Sequence, residues 1–279
     1  MERIFVGSEA LASGAINRYE LRTFYKRVFP DVYGPRRGKL TLKDRTTAAW
    51  LWSRREAVVL GQAAAALHGA EWVDADIDIE LNWGGRRAPD GVLIRRETLL
   101  DEEVSVVRGI ATTTADRIAF DLARRDSVGE AVARLDALAR ATHFKTVDVQ
   151  ELARRHPHVK GSRRVDRVLD LVDERAESPK ETWLRLVLIA AGFPRPQTQI
   201  AVPRPSGYPP YRLDMGWEDV KIAVEYDGDS HRERRRWRRD IVRSEYLARL
   251  GWIQIRIVTG TPRSEVVNRV RRAWALRSQ

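Results

Sequence analysis

The stretch Lys221-Ile-Ala-Val-Glu-Tyr-Asp-Gly228 decides how the C-terminal part of this chain is interpreted. Its three apolar residues at 222–224 predict a buried strand, and the acids Glu225 and Asp227 come directly after them. Side chains two residues apart in an extended chain lie on the same face, so both carboxylates share one side of the predicted sheet. Carboxylates that border so apolar a strand need a specific partner, which indicates a site.

The elements around this strand follow from their start and stop signals. Ser178 as N-cap, Pro179 at the first helical position and Glu181 three residues after the cap predict a helix with a capping box. The apolar face of this helix leaves Glu181 and Arg185 on the side away from the core. The predicted order is helix, three strands, helix, strand and helix, over residues 179–191, 198–202, 211–217, 221–226, 236–250, 252–258 and 262–276.

A third acid, Asp214, lies in the middle of the strand that precedes Lys221. Two adjacent strands can therefore bring Asp214, Glu225 and Asp227 together. Hard cations such as Mg²⁺ bind to one or two carboxylates together with substrate phosphate, which makes a metal site one interpretation. The alternative is that these acids pair with the excess of arginines in the chain.

The last 100 residues or so resemble the PD-(D/E)xK nuclease superfamily, and within it the small endonuclease-like family related to the very-short-patch-repair endonucleases. The resemblance implies an αβββαβ core that cleaves DNA with Mg²⁺, or with Mn²⁺ in its place. The residues that carry the resemblance are Glu181, Leu184, Gln199, Leu213-Asp214, Val224-Glu225-Tyr226-Asp227-Gly228, His231, Asp240, Arg243, Leu250-Gly251-Trp252 and Arg256.

The resemblance also implies roles for single residues. Asp214, Glu225 and the carbonyl of Tyr226 would hold the metal, and Glu181 would be the helix acid near it. Asp227 or His231 would take the proton of the attacking water. Asp240 would be a further polar member of the site.

This sequence departs from the superfamily pattern at two positions. Leu213 stands where the name of the superfamily implies Pro, a difference that affects only the turn. Asp227 stands where the pattern has Lys, and this removes a cation that would orient water and stabilise negative charge. Arg243 or Lys221 are the candidates to supply that charge. The loss of Lys also allows an alternative function, a DNA-binding regulator or antitoxin-like protein with an inactive nuclease fold.

Some of these residues have simpler explanations. The capping box alone accounts for Glu181, and His231 follows a turn-like segment in which it would be solvated. Arginines surround Trp237 and favour a clamp on the DNA backbone, with Trp237 stacking on a base or covering the core; a solvated face is the alternative. The residues predicted to bind DNA are Arg232, Arg235, Arg236, Trp237, Arg239 and Arg243.

The sequence pattern of the N-terminal region predicts a small helical module followed by a basic hairpin. Apolar residues recur at helical spacings over residues 11–28, and residues 28–34 alternate as a short strand and turn. This order is typical of a winged helix-turn-helix. The first 170 residues or so resemble AbiEi-type antitoxins of type IV toxin–antitoxin systems, which implies a DNA-binding winged helix. The segments that carry this resemblance are residues 27–34, 63–69, 112–117 and 120–123.

The chain between this hairpin and residue 177 is predicted to mix strands and helices. Its predicted strands are 75–81, 92–95 and 104–107, and the predicted helices are 48–56, 57–67, 114–124, 128–141, 147–156 and 163–176. The fold class expected is therefore mixed α/β, with a winged helix over residues 1–70, an α+β middle region over 71–177 and an endonuclease-like domain over 178–279.

Composition limits the partners. The 279 residues carry a net charge of +11 and include nine Trp but no Cys, so we expect a folded protein of a reducing cytoplasm without thiol chemistry. The positive charge favours DNA as the partner. No apolar stretch reaches the length of a membrane helix, so no membrane is expected, and neither is a nucleotide cofactor. A toxin–antitoxin or repair partner is consistent with the two resemblances.

Overall fold

The chain divides into two compact units, Met1–Val172 and Asp173–Gln279. A computed structural model describes residues 3–85, 87–205, 207–228 and 234–277, with the backbone alone for 234–239. Both units contain helices and strands, which confirms the mixed α/β class. Among the described residues, no helix combines the length and the apolar composition that crossing a membrane requires.

The first unit begins with a three-stranded antiparallel sheet and two short helices. The strand order is β1-β3-β2, and the N-cap Asn17 starts the second helix with a reciprocal bond to Glu20. The predicted short helices and hairpin are thus confirmed. The elements are β1 (Phe5–Val6), α1 (Gly7–Ala12), α2 (Arg18–Phe24), β2 (Tyr25–Phe29) and β3 (Val32–Pro35).

The rest of this unit is built on a five-stranded mixed sheet of order β6-β5-β4-β8-β7. Its helices carry buried apolar faces, such as Ile118, Phe120 and Leu122. The strands are β4 (Val58–Val59), β5 (Ile79–Asn82), β6 (Val92–Arg95), β7 (Val104–Val107) and β8 (Ile110–Thr113), and the helices are α3 (Leu42–Trp52), α4 (Gly61–Leu67), α5 (Ala115–Arg125), α6 (Val128–Thr142), α7 (Thr146–Arg155) and α8 (Val165–Leu169).

Three helix predictions in this unit are wrong in extent. The helix predicted over 48–56 is Leu42–Trp52, because Thr41 and Asp44 form a capping box at its start. The helix predicted over 57–67 begins only at Gly61, because Val58–Val59 pairs with two other strands. The helix predicted over 163–176 ends at Leu169. Asp173 accepts a hydrogen bond from the N–H of Arg175, and such a local side-chain bond competes with a helix. Asp173 also accepts a bond from the hydroxyl of the distant Thr198.

The second unit follows the predicted order of helix, three strands, helix, strand and helix. Every predicted element is present within a few residues of its expected bounds, and the strand Tyr211–Trp217 matches at both ends. These elements are α9 (Pro179–Ala190), β9 (Gln197–Val202), β10 (Tyr211–Trp217), β11 (Ile222–Asp227), α10 (Arg234–Arg249), β12 (Ile253–Val258) and α11 (Arg263–Arg277).

The sheet of this unit has the order β12-β11-β10-β9. Strands β9, β10 and β11 pair in antiparallel fashion, whereas β12 runs parallel to β11. Gly216 on β10 lies so close to β11 that an added Cβ would come within 2.1 Å of the Ile222 carbonyl oxygen. In the core, apolar side chains of α9 and α11 pack against those of the sheet. The members of this core include Leu184, Leu188, Val224, Ile257, Val266 and Val270.

Helix α9 differs from its prediction on one side. Leu184 and Leu188 are buried as expected, but Arg185, predicted to face away from the core, is completely buried. Thr182 is buried as well. The helix is therefore covered on more than the one face that its apolar periodicity marks.

Candidate active site

The acids Asp214 and Glu225 lie on adjacent strands, as the sequence predicts. The ladder between β10 and β11 pairs Met215 with Val224, and the two acids are the next residues of these strands. The N–H of Tyr226 donates a hydrogen bond of 2.8 Å to Oδ2 of Asp214. This bond links the side chain of Asp214 on β10 to the backbone of β11, directly after Glu225.

These acids line a cleft of about 180 Å³. Asp227, two residues after Glu225, and Asp240 on α10 also line it, which brings four of the predicted site acids together. The remaining lining residues are Tyr226, Arg243 and Arg256. Four carboxylates therefore share a small space with two guanidinium groups.

The environment of Asp214 disfavours the charged form of its carboxyl group. Burial raises its pKa to about 7, and the carboxylates of Glu181 and Glu225 act in the same direction. The hydrogen bond from Tyr226 and the charge of Arg243 oppose this rise without cancelling it. A strongly shifted pKa in a cleft is a feature typical of functional sites.

Glu225 is 7% exposed and forms an ion pair with Arg243 of α10. Both terminal nitrogens of Arg243 take part, with Nη1 at 3.3 Å from Oε2 and Nη2 bound to Oε1. Nη2 also donates a bond of 2.7 Å to the carbonyl of Arg212. Arg243, which was predicted to bind DNA, thus lies inside the cleft and neutralises a predicted metal ligand.

Glu181 is held beside Asp214 by bonds that the sequence only partly predicts. Ser178 caps the helix as expected, with a bond of 3.2 Å from the N–H of Glu181. The Glu181 carboxylate accepts bonds from the hydroxyl of Ser178, the N–H of Glu177 and the side-chain amide of Gln199. Only half of the predicted capping box is therefore formed, because the Glu181 carboxylate binds the N–H of Glu177 where the box requires the N–H of Ser178. The charge of the same carboxylate acts on Asp214.

Gln199 is a residue whose role was not predicted. It lies on β9 with a φ of 50°, where the ladder pairs Thr198 with Met215 and Ile200 with Leu213. A left-handed conformation is rare for a residue with a side chain, especially within a strand. The resemblance contained Gln199, but only the structure connects it to Glu181.

The cations near the cleft differ from the expected set. The Lys221 ammonium donates to the carbonyl of Leu250, and Lys221 precedes Glu225 by about 13 Å of extended strand. Lys221 is therefore the wrong candidate for the missing charge. Lys180, which the sequence did not single out, has its ammonium 5.9 Å from the ring centre of Tyr226.

Several predicted residues lie outside the described part of the chain. His231 and Arg232 are among them, and so are the side chains of Arg235, Arg236, Trp237 and Arg239 on the first turns of α10. Their predicted roles in proton transfer and DNA binding stay predictions. Among the residues that are described, no group of three or more His, Cys, Asp or Glu is arranged to hold a metal ion.

Comparison with known proteins gives relatives without a described activity. No family model matches the chain. An uncharacterized protein from each of two strains of Mycobacterium tuberculosis, CDC 1551 and H37Rv, is 28% identical over 241 residues. The match covers 86% of this chain and 87% of each relative, so the similarity extends over both units.

Proposed function

We propose that this protein is a metal-dependent DNA endonuclease with a PD-(D/E)xK-like core in the second unit. The observation that carries the proposal is the environment of Asp214, a carboxyl group whose pKa burial raises to about 7. Asp214 adjoins Glu225 across two strands and lies in a cleft with two further acids. A bound cation would offset the repulsion among these carboxylates.

The donor chemistry of the cleft fits one hard divalent cation. Asp214, Glu225 and the Tyr226 carbonyl offer oxygen ligands, the type that Mg²⁺ and Mn²⁺ bind. When bound, such an ion supplies activation of water and neutralises charge on the scissile phosphate. Arg243 must release Glu225, at least in part, for this acid to serve as a ligand.

The chain itself would supply the remaining steps. Asp227 lines the cleft and is one candidate to accept the proton of the attacking water, with His231 as the other. Arg243, once released from Glu225, and Arg256 are cations within reach of a phosphate in the cleft. They would stand in for the lysine that Asp227 replaces.

The first unit supports a DNA-binding role in this proposal. A helix pair between β1 and β2, with the sheet order β1-β3-β2, is compatible with a winged helix. Helix α2 exposes Arg18, Tyr19 and Arg22, which suits a helix that enters the major groove. The adjoining strand β2 exposes two more cations, Lys26 and Arg27.

A cleavage assay tests the enzymatic part. Full-length protein is incubated with labelled single-stranded and duplex DNA in Mg²⁺, Mn²⁺ or EDTA. We expect strand cleavage with either metal, none in EDTA, and none with Glu225→Gln or Asp214→Asn. Glu245→Gln is the matched control, since Glu245 lies exposed on α10. Cleavage that survives Glu225→Gln, or that needs no metal, would refute the proposal.

Two observations favour a second function, a DNA-binding regulator or antitoxin-like protein with an inactive nuclease fold. Arg243 already neutralises Glu225, and Asp227 occupies the position of the catalytic lysine. This function predicts tight binding to one DNA site and no cleavage of any substrate. It also predicts that Glu225→Gln leaves DNA binding unchanged, an outcome that the nuclease allows too, so cleavage is the result that separates the two functions.

A further inference from the structure

Tyrosine and arginine side chains alternate along one edge of the second unit and end at the candidate site. The guanidinium carbon of Arg204 lies 4.7 Å from the ring centre of Tyr208 and 4.3 Å from that of Tyr211. Arg243 lies over the same Tyr211 ring at 5.9 Å. We call the set Arg204, Tyr208, Tyr211, Arg243, Tyr246 and Arg249 the tyrosine–arginine ladder.

Tyr246 and Arg249 continue the ladder along α10, the helix that also carries Arg243. The rings of Tyr211 and Tyr246 are 5.7 Å apart, and Arg249 lies over Tyr246 at 5.8 Å. The hydroxyl of Tyr246 donates to the carbonyl of Pro203 and thereby fixes the start of the loop that carries Arg204. The spacings are those of cation–π pairs and of one aromatic pair, whose rings are tilted by 58°.

Packing on an apolar core accounts for the rings of Tyr211 and Tyr246, which lie against a buried cluster that includes Leu213 and Leu247, but it does not account for Tyr208. Tyr208 is 64% exposed, although a tyrosine kept for packing would turn its ring inward. Arg204 adds positive charge beside this exposed ring, and Arg249 adds it beside the partly buried ring of Tyr246. Exposed aromatic faces among cations are the features that bind an unpaired nucleic-acid strand, with bases on the rings and phosphates on the cations.

We propose that the tyrosine–arginine ladder binds single-stranded DNA next to the candidate active site. This inference rests on the proposed action on DNA and specifies its substrate class. Bases in a duplex stack on each other and do not offer their faces to a side chain, whereas every unpaired base does. Arg243 belongs to both the ladder and the cleft, because it contacts the Tyr211 ring and the Glu225 carboxylate.

A single strand on the ladder would also act on the cleft. Its phosphates would compete with Glu225 for the guanidinium of Arg243, since both are anions that bind Arg in a two-bond manner. Glu225 would then be available as a metal ligand only when substrate is present.

A binding experiment tests the ladder without requiring cleavage. Full-length protein carrying Asp214→Asn is titrated in EDTA against a fluorescein-labelled single strand of mixed sequence and against the duplex of the same sequence. Fluorescence anisotropy then gives Kd for both DNAs. We expect Tyr208→Ala to weaken single-strand binding roughly 5- to 150-fold, as the loss of one stacked base predicts. Duplex binding should change less than twofold.

Matched variants separate stacking from other effects. Tyr208→Phe keeps the ring, so its Kd for the single strand should stay within twofold of that of the protein with the ladder unchanged. Trp72→Ala removes an aromatic side chain of similar exposure from the first unit, outside the parts proposed to bind DNA, and should leave single-strand affinity intact. The proposal is overturned if Tyr208→Ala and Arg204→Ala both bind the single strand with the unchanged Kd. It is also overturned if both variants weaken duplex binding as much as single-strand binding. Because no step needs cleavage, these results stand apart from the test of the nuclease itself.

Discussion

The guanidinium of Arg243 binds the carboxylate of Glu225 with both of its terminal nitrogens. The pair is largely shielded from water, since the side chain of Glu225 is 9% exposed and that of Arg243 is 20% exposed. In the proposed nuclease, Arg243 and a metal ion are rivals for the same carboxylate. The strength of this pair therefore controls how readily the site accepts a metal.

Arg243→Met should make the protein less stable without metal and more responsive to it. Removal of one partner leaves a buried charge uncompensated, which costs about 2–4 kcal/mol for a pair as shielded as this one. Added Ca²⁺ should then raise the melting temperature more than in the wild type, because a ligand of the native state stabilises it. Arg272→Met, at an exposed position of α11, is the control. An unchanged Ca²⁺ response would show that Arg243 and the metal do not compete.

The raised pKa of Asp214 predicts a pH dependence of stability. The folded carboxyl group has a pKa of about 7 against 3.8 for the ordinary group, so the folded state binds this proton more tightly. The resulting penalty is absent well below pH 4, grows as pH rises between the two pKa values, and reaches about 4 kcal/mol above pH 7. Asp214→Asn should therefore gain in melting temperature relative to the wild type between pH 5 and pH 8.

The control for this effect is Asp219→Asn, at an exposed turn position of the same unit. Its difference from the wild type should stay constant over the same pH range. A constant difference for Asp214→Asn as well would mean that the carboxyl group at 214 is charged in the folded protein throughout.

The left-handed backbone at Gln199 predicts an order of stability between two variants. Gln199→Ala and Gln199→Gly both lose the hydrogen bond to Glu181, but only Ala keeps a Cβ at a φ of 50°. The Gly variant should be more stable by about 1 kcal/mol, because the left-handed conformation costs residues with a Cβ about that much. Urea denaturation of the two variants measures the difference. Equal stability, or a more stable Ala variant, would show that the backbone at residue 199 is not strained.

A network of buried charges in the first unit predicts a large loss of stability. Arg117 is 1% exposed and pairs with Glu103 and Asp121, which are equally buried. Burial raises the pKa of Glu103, but its hydrogen bonds with His156, the N–H of Leu100 and Arg117, together with the charge of Arg117, hold that pKa below its ordinary value. Arg117→Met should cost about 3–5 kcal/mol, since it leaves these carboxylates uncompensated.

Arg154→Met is the matched control for this network. Arg154 pairs with Glu151 on the surface of α7, and exposed pairs contribute at most about 1 kcal/mol. Thermal or urea denaturation of both variants gives the comparison. A loss below about 1 kcal/mol for Arg117→Met would show that the apolar part of the side chain can replace the ion pairs.

The second unit was the part most completely predicted from sequence. Its helix began at Ser178 and Pro179 because capping and fixed φ act within one turn, and its strands followed from local apolar runs. The first unit was predicted less well, because the strand Val58–Val59 exists only through its pairing partners. Short strands carry little local signal, and the rest of their stability comes from residues that are distant in sequence.

By itself, the sequence determined the element order of the second unit and the presence of Asp214, Glu225 and Asp227 on two of its strands, because these depend on local periodicity and alternation. Only the tertiary structure decided that Arg243 forms an ion pair with Glu225 and that Gln199 donates a hydrogen bond to Glu181. It also decided that Lys221 binds the carbonyl of Leu250, at the end of its strand that is far from the cleft. Those contacts join side chains from separate elements. Their partners are fixed by strand register and helix packing, which no single segment of the sequence encodes.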